Sequence, residues 1–305
     1  MRVFVLIDKL NWSYHSIAQS IIKYNTDKNI EFTLCPIKNN EEYIKQEQYK
    51  FDIFFVMGFL NYERINFLPL NKTIIGIHSC HSWDNKKTYP GYIVKPENKL
   101  IDYLNKFLRV NTVSQYLYQL FSGSGVEKLF YTPNGVDSNI FYPVLNKNYT
   151  DNFVVGYSGT KSHDWRKGIS DFIIPAAKKS DVNIKLAMRN DGSSINMEDM
   201  PQFYNSLSCY ICASSSEGFS LSVLEAAACG LPIISTKVSG CIELIKDGEN
   251  GFLVDRDIDS ISEKINLLKS DENLCQIISK KMRKNIEDNY CWSNQYNQWI
   301  DSLLG

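Results

Sequence analysis

The sequence predicts an α/β protein with two parallel sheets, one in each of two domains. Short apolar runs alternate with segments of helical periodicity, which is the pattern of strand–helix–strand units. The length of 305 residues fits two domains of ~150 residues each. The alternation also starts again at residue 153, after a stretch rich in turn-forming residues.

Six apolar runs predict the strands of the first domain, at residues 3–7, 32–35, 53–57, 73–77, 110–113 and 129–131. After the first run, apolar residues recur at the spacing of one helix face. These residues are Tyr14, Ile17, Ala18, Ile21 and Ile22. The first domain is expected to end at residue 148 and to be completed by the aromatic segment 289–305.

Five further runs predict the second sheet, at residues 153–157, 184–188, 209–213, 232–236 and 251–254. This domain is expected to span residues 149–288. One helix is predicted from about Lys167. Another is predicted from Asp259, with Ser260 and Glu263 forming a capping box.

Composition excludes several classes of protein. A net charge of −1 gives no basic field for nucleic acid. No apolar run reaches the ~18 residues of a membrane span, and the N-terminal run is too short for a signal peptide. A cytoplasmic protein is expected, and a peripheral place at a membrane stays open.

The eight cysteines lack disulfide spacing, and Cys209 and Cys212 would point to opposite faces of one strand.

The segment 214–232 carries the strongest functional signal. A strand ends, Glu217 and Gly218 follow, and a helix begins near Ser220. The first N–H groups of a helix are unpaired and lie at the positive end of its dipole, so they suit a diphosphate. Glu225 follows with seven residues between the two glutamates. The alternative is a helix-capping glutamate and a surface glutamate.

This segment resembles the E-x7-E signature of GT-B retaining glycosyltransferases of the family 4 type. In that family the first glutamate binds hydroxyls of the transferred sugar, and the second binds the donor ribose. The resemblance implies these roles for Glu217 and Glu225, and two Rossmann-like domains facing a central cleft. It assigns the donor-binding turn to Gly218, Phe219, Ser220 and Leu221.

A second motif, in residues 156–168, supplies basic side chains. A departing diphosphate needs its charge neutralised, and the family does this with basic residues, so no metal or other cofactor is expected. Lys167 and Gly168 match the family's Lys–Gly pair. Lys161 stands at the position where the family usually has Arg. Arg166 is the alternative candidate for the role of that arginine. Because the helix dipole disfavours Lys at a helix start, Lys167 would need an anion nearby. A solvated lysine is the alternative for Lys161 and Lys167.

His78 ends the predicted strand 73–77, and the resemblance implies that it reaches the donor sugar. A structural histidine is the alternative. The acceptor side has only weak candidates, which are Trp12, His15 and His81. The acidic residues Asp255, Asp257 and Asp259 are expected to serve a helix start rather than a metal ion.

The predicted function is transfer of a hexose from a UDP- or GDP-sugar to an unidentified carbohydrate, lipid or protein acceptor. The resemblance implies retention of the anomeric configuration and independence of metal ions. A non-catalytic two-domain protein that binds nucleotide sugars or carbohydrates is the alternative.

Overall fold

The computed structural model describes residues 1–79, 95–144, 152–189 and 193–305. These residues form two compact units. The first contains residues 1–79, 95–135 and 292–305, and the second contains residues 136–144, 152–189 and 193–291. The predicted boundary between residues 148 and 149 falls outside the described residues. The chain returns to the first unit at residue 292, whereas the sequence prediction began this return at residue 289.

The first unit is built on a parallel sheet with the order β2-β1-β3-β4-β5-β6. Its strands are β1 (Arg2–Ile7), β2 (Glu31–Pro36), β3 (Ile53–Val56), β4 (Thr73–Ile77), β5 (Arg109–Thr112) and β6 (Leu129–Tyr131). Each predicted run of this domain overlaps one of these strands. Strand β4 is buried throughout, as expected for a parallel sheet covered on both faces.

The first unit also contains five α-helices in its described ranges. They are α1 (Ser13–Tyr24), α2 (Glu41–Glu47), α3 (Asn98–Leu104), α4 (Gln115–Ser122) and, from the C-terminal segment, α12 (Trp292–Leu304). Short 3-10 turns lie at Gln48–Lys50, Phe59–Ile65 and Leu70–Lys72. The buried residues of α1 are Ile17, Ala18 and Ile21, so its predicted apolar face is the face that packs.

Helix α12 is anchored to the first unit by side chain–backbone hydrogen bonds. Trp299 is fully buried, and its indole N–H donates to the carbonyl of Pro133 at 2.8 Å. The guanidinium of Arg109 donates to the carbonyls of Leu303 at 2.7 Å and Leu304 at 3.0 Å. These bonds satisfy carbonyl groups that a helix C-terminus leaves without partners.

The second unit is built on a parallel sheet with the order β11-β10-β9-β7-β8. Its strands are β7 (Val154–Thr160), β8 (Asn183–Arg189), β9 (Cys209–Cys212), β10 (Ile233–Thr236) and β11 (Phe252–Val254). Its helices are α5 (Asp164–Lys167), α6 (Ile174–Lys179), α7 (Met200–Asn205), α8 (Leu221–Ala228), α9 (Ser239–Leu244), α10 (Ile258–Ser270) and α11 (Glu272–Asn289). Each predicted run overlaps a strand here as well, and the predicted parallel α/β class is confirmed.

The start of α10 differs from the prediction. Asp257 is the N-cap, and its carboxylate accepts hydrogen bonds from the backbone N–H of Ser260 at 2.7 Å and from its hydroxyl at 2.8 Å. Ser260 therefore lies inside the helix, and the predicted capping box with Glu263 is wrong. The helix-start role expected for the acidic triplet is confirmed at Asp257.

The cysteines in the described ranges are buried and form no disulfide bond, and Cys80 lies outside those ranges. Within the same ranges, no helix combines the length and apolar character needed to cross a membrane.

Candidate functional site

The loop between β9 and α8 is buried and held by the neighbouring strand and helix. The Ser214 carbonyl accepts a hydrogen bond from the hydroxyl of Thr236 at 2.6 Å. The carbonyls of Glu217 and Gly218 accept from the hydroxyl of Ser239, which lies 3.1 Å from the Gly218 oxygen. These bonds fix the backbone on either side of the first glutamate.

The predicted donor turn forms, but its side chains have packing roles. Phe219 is buried edge-on against Tyr290, with ring centroids 5.5 Å apart. Helix α8 begins at Leu221, and the Ser220 hydroxyl lies 3.0 Å from that of Ser222 and does not cap the helix. The first N–H groups of α8 thus receive no capping bond from Ser220, as an anion site requires.

Glu217 lies at the centre of a buried charged cluster. Its Oε1 accepts hydrogen bonds from the Lys167 ammonium and from the hydroxyl of Ser214, the latter at 2.6 Å. Its Oε2 lies 3.6 Å from the Arg166 guanidinium. The side chains of Arg166 and Glu217 are 8% and 9% exposed. Two cations against one carboxylate leave the cluster with a net positive charge, which favours an anionic ligand.

The protonation of Glu217 follows from these contacts. Burial alone would raise the pKa of its carboxyl group. The charges of Lys167 and Arg166, together with hydrogen bonds from Lys167 and Ser214, outweigh burial and hold the pKa at about 2. The carboxylate is therefore ionised and weakly basic at neutral pH.

Lys167 occupies a different position from the predicted one. It is the last residue of α5, and Gly168 follows in the left-handed region with φ +71°. A π-helix at Ile169–Ile173 then leads into α6. The expectation of a lysine at a helix start is wrong, because the helix dipole favours a cation at this C-terminal position. The anion that the prediction required is nevertheless present as Glu217.

Arginine side chains brace this segment against the loop after β9. The backbone N–H of Ser215 donates to the carbonyl of Arg166 at 2.8 Å, and the Arg166 guanidinium donates to the carbonyl of Ser216 at 2.5 Å. Arg256 donates to the Ala213 carbonyl at 2.9 Å. The Nε of Arg166 is buried, and no described residue accepts its hydrogen. A buried donor without an acceptor is energetically costly.

Glu225 lies on α8 and contacts Tyr204 of α7. The phenol of Tyr204 donates to Oε2 of Glu225 at 2.7 Å. Burial raises the pKa of the Glu225 carboxyl to about 7, and the Tyr204 hydrogen bond and the charge of Arg189 lower it less strongly. The two glutamates thus have opposite properties, since Glu217 is held ionised and Glu225 titrates near neutrality.

Lys161 is exposed at the start of a 3-10 turn, Lys161–His163, that follows β7. The structure leaves it outside the Glu217 cluster, whose cations are Arg166 and Lys167.

His78 directly follows β4, at the strand end where the sequence placed it. Its Nε2 is shielded from solvent and has no partner among the described residues. The Tyr14 ring meets the imidazole edge-on at 4.8 Å, and a Cβ on Gly76 would lie 2.6 Å from Nε2. Burial lowers the pKa of His78 to about 3, so the imidazole is neutral.

The weaker candidates of the first unit have local partners. The Lys9 ammonium lies 3.3 Å from the centre of the Trp12 ring, a cation–π contact. Nδ1 of His15 accepts from the backbone N–H of Asn11 at 3.1 Å. His81 lies outside the described residues.

Sequence reasoning missed three residues of the second unit. Ser214 lies in the run of serines before Glu217, which hinted at a polar turn. Arg256 lies between Asp255 and Asp257, and this sequence context gives no signal of its contact with the loop after β9. Tyr204 gave no signal, because its contact with Glu225 depends on how α7 and α8 pack.

The residues that the structure describes include no group of three or more His, Cys, Asp or Glu side chains that could hold a metal ion. The acidic residues flanking Asp257 form ion pairs instead. Asp255 pairs with Lys237 at 3.0 Å, and Asp259 pairs with Lys179 at 2.5 Å.

Residues 192–285, which contain Glu217, α8 and most of α11, match the family model described as glycosyl transferases group 1. The capsular polysaccharide biosynthesis glycosyltransferase CapM of Staphylococcus aureus is 30% identical over 179 residues, which are 51% of this chain and 47% of that protein. An uncharacterized glycosyltransferase of Methanocaldococcus jannaschii is 26% identical over 217 residues, which are 65% of this chain and 57% of that protein. The chain spans about half the length of the curated relatives it matches.

Solved structures share the fold of this chain. A sucrose-phosphate synthase from Thermosynechococcus elongatus has a TM-score of 0.73 at 17% identity, over 99% of this chain and 98% of that one. The Anabaena HepE protein in complex with UDP and glucose has a TM-score of 0.73 at 16% identity, over 100% of this chain and 99% of that one. The architecture is therefore two Rossmann-like domains of the GT-B type.

Proposed function

We propose that this protein transfers a hexose from a UDP- or GDP-sugar to an acceptor hydroxyl, with retention of the anomeric configuration and without a metal ion. The observation that carries this proposal is the buried cluster of Arg166, Lys167 and Glu217 beside the N-terminus of α8. It offers cations and N–H donors to a diphosphate, and a carboxylate to sugar hydroxyls. The glycosyl transferases group 1 match includes Glu217 and Glu225.

Donor binding would exchange partners within the cluster. Phosphate oxygens compete with Glu217 for the Lys167 ammonium. The lone pairs released on Glu217 then accept hydrogen bonds from the sugar. Glu225 is assigned to the donor ribose. The neutral imidazole of His78, with its unpartnered Nε2, is proposed as a further sugar contact.

The properties of Glu217 support displacement on the same face of the sugar. A carboxylate with a pKa of about 2 is a poor base and a poor nucleophile at neutral pH. The departing diphosphate is therefore proposed to take the proton of the acceptor hydroxyl. Basic groups around the diphosphate stabilise its charge as the glycosidic bond breaks.

The test separates the two glutamates. We expect Glu217→Gln to depress kcat, because contacts to the reacting sugar strengthen in the transition state. Glu225→Gln should mainly raise the donor KM, because ribose contacts change little during reaction. Glu249→Gln, at an exposed site, is the matched control. Normal kcat in both site variants would refute these roles.

A non-catalytic sugar-nucleotide-binding protein is the competing function. Slow hydrolysis of UDP-glucose or GDP-mannose without acceptor, followed as nucleotide release, distinguishes an enzyme from a binder. The activity should survive EDTA. Loss of hydrolysis that Mg²⁺ or Mn²⁺ restores would refute metal independence.

A further inference from the structure

A hydrogen-bonded chain lies behind Glu225. Tyr204 is fully buried, and its phenol donates to Oε2 of Glu225 at 2.7 Å. The same phenol oxygen lies 2.9 Å from the hydroxyl of Ser158, which lies 3.2 Å from the phenol of Tyr210. Since the single proton of Tyr204 goes to the carboxylate, Ser158 must donate to Tyr204. Strands β7 and β9 therefore support the contact between α7 and α8.

Aromatic packing fixes the Tyr204 ring. Its centroid lies 5.5 Å from that of Phe203, 6.0 Å from that of Phe141 and 5.8 Å from that of Tyr210. All three contacts place one ring edge against the other face. The phenol cannot swing away from Glu225 without breaking them.

We propose that Tyr204 is a positioning residue for nucleotide binding: its phenol holds Oε2 of Glu225, so that Oε1 accepts the ribose hydroxyls. No described residue donates a hydrogen bond to Oε1. The inference rests on the proposed function, which assigns Glu225 to the ribose. Tyr204 acts through Glu225 and does not itself contact the donor.

The charge of Glu225 depends on the same contact. The groups that face its carboxyl are Tyr204 from α7 and Arg189 from the end of β8, and Tyr210 reaches it only through Ser158 and Tyr204. Burial raises the pKa to about 7, and the Tyr204 bond opposes that rise. Without the phenol the pKa rises further, so a smaller fraction is ionised at pH 7.

The experiment compares Tyr204→Phe with the native protein between pH 5.5 and 9. Calorimetry measures the Kd of UDP and of GDP. Carboxyl ¹³C NMR follows the Glu225 titration, which Glu225→Gln assigns. We expect the titration midpoint to rise by about one pH unit, and the pH dependence of Kd to move with it. Nucleotide binding should then weaken about fivefold at pH 7 and recover by pH 9.

Tyr157→Phe is the matched control, because its buried phenol lacks a partner among the described residues and does not touch Glu225. This change should move neither the midpoint of the Glu225 titration nor the midpoint of the pH dependence of Kd. If Tyr204→Phe does not fold, Ser158→Ala replaces it. Without the hydrogen bond from Ser158, the Tyr204 phenol is a weaker donor to Glu225. The midpoints of the Glu225 titration and of the pH dependence of Kd should therefore both rise, by less than in Tyr204→Phe.

Each outcome decides the question. The inference is overturned if Tyr204→Phe binds nucleotide with an unchanged pH profile, or if the midpoint of the Glu225 titration does not move in this variant. Tyr204 then has only a packing role, and the proposed function stands. If the native protein binds neither UDP nor GDP at any pH, the proposed function fails and the inference fails with it.

Discussion

Replacing Glu217 by Gln should destabilise the second unit, in addition to its effect on catalysis. The amide keeps the shape of the carboxyl group but removes its charge. Arg166 and Lys167, whose side chains are only 8% and 16% exposed, would then lie next to each other without a counter-charge. Removing one partner of a buried ion pair is more costly than removing the whole pair, because it leaves uncompensated charge.

The magnitude follows from proton linkage. The pKa of Glu217 is about 2 in the folded protein, against 4.5 for an unperturbed glutamate. A difference of about 2.5 units corresponds to about 3 kcal/mol of folding free energy. Because the folded pKa is the lower one, this stabilisation is fully present above pH 4.5 and is lost as the pH falls towards 2. We expect the variant to be about 3 kcal/mol less stable at pH 7, and the difference to be about 1 kcal/mol smaller at pH 4.

Urea unfolding at pH 7, 5.5 and 4, followed by circular dichroism, measures these differences. Hydrogen exchange of the β9 amides reports the second unit alone, since two-domain unfolding can have more than one transition. Glu249→Gln, exposed in the same unit, should stay within about 0.5 kcal/mol of the native protein. A loss below about 1 kcal/mol at pH 7, or one that does not change with pH, would refute the electrostatic reasoning.

Three further predictions concern single sites. The imidazole of His78 should stay neutral from pH 8 to pH 5, because burial lowers its pKa to about 3; a ¹⁵N NMR midpoint near 6.5 would contradict this. Gly168→Ala should lower the free energy of unfolding in urea by about 3 kcal/mol, because a Cβ at this position meets a backbone oxygen at 2.7 Å. Gly248 has a similar φ but open space around it, so Gly248→Ala should lower the same free energy by about 1 kcal/mol. Asp257→Ala should lower the free energy of unfolding by about 1 kcal/mol, because α10 loses its N-cap, and Glu263→Ala should lower it by less than about 0.5 kcal/mol. Equal losses in the two variants would support the capping box of Ser260 and Glu263 instead.

The strands and their parallel class could be predicted from sequence because each strand is a short apolar run, and apolar runs reflect burial directly. The positions of Glu217 after β9 and of His78 after β4 could also be predicted, because each follows a local apolar run. The roles of Glu217, Lys167 and His78 at a donor site stay predictions. The ion pairs of Glu217 with Lys167 and Arg166 were not foreseen. They bring together residues separated by about fifty positions, and only the β7–β9 pairing places these loops side by side.

The errors have local causes. The helix predicted from Lys167 failed because Gly168 takes a left-handed conformation, which ends one helix and starts another. The capping box failed because Asp257 and Ser260 are both competent caps three residues apart, and the sequence pattern does not say which one is used. Tyr204 was missed because a tyrosine in a short helix is ordinary in the absence of its neighbours.

The return of α12 to the first unit has a consequence for biosynthesis. Residues 1–135 leave the ribosome without the helix that contributes Trp299 to their core. Their Pro133 carbonyl and Arg109 guanidinium lack these partners until residues 299–304 have been made. The second unit, although translated later, has the strands of its described ranges by residue 254 and their helices by residue 289. The part of the chain that is made first should therefore be the last to complete its fold.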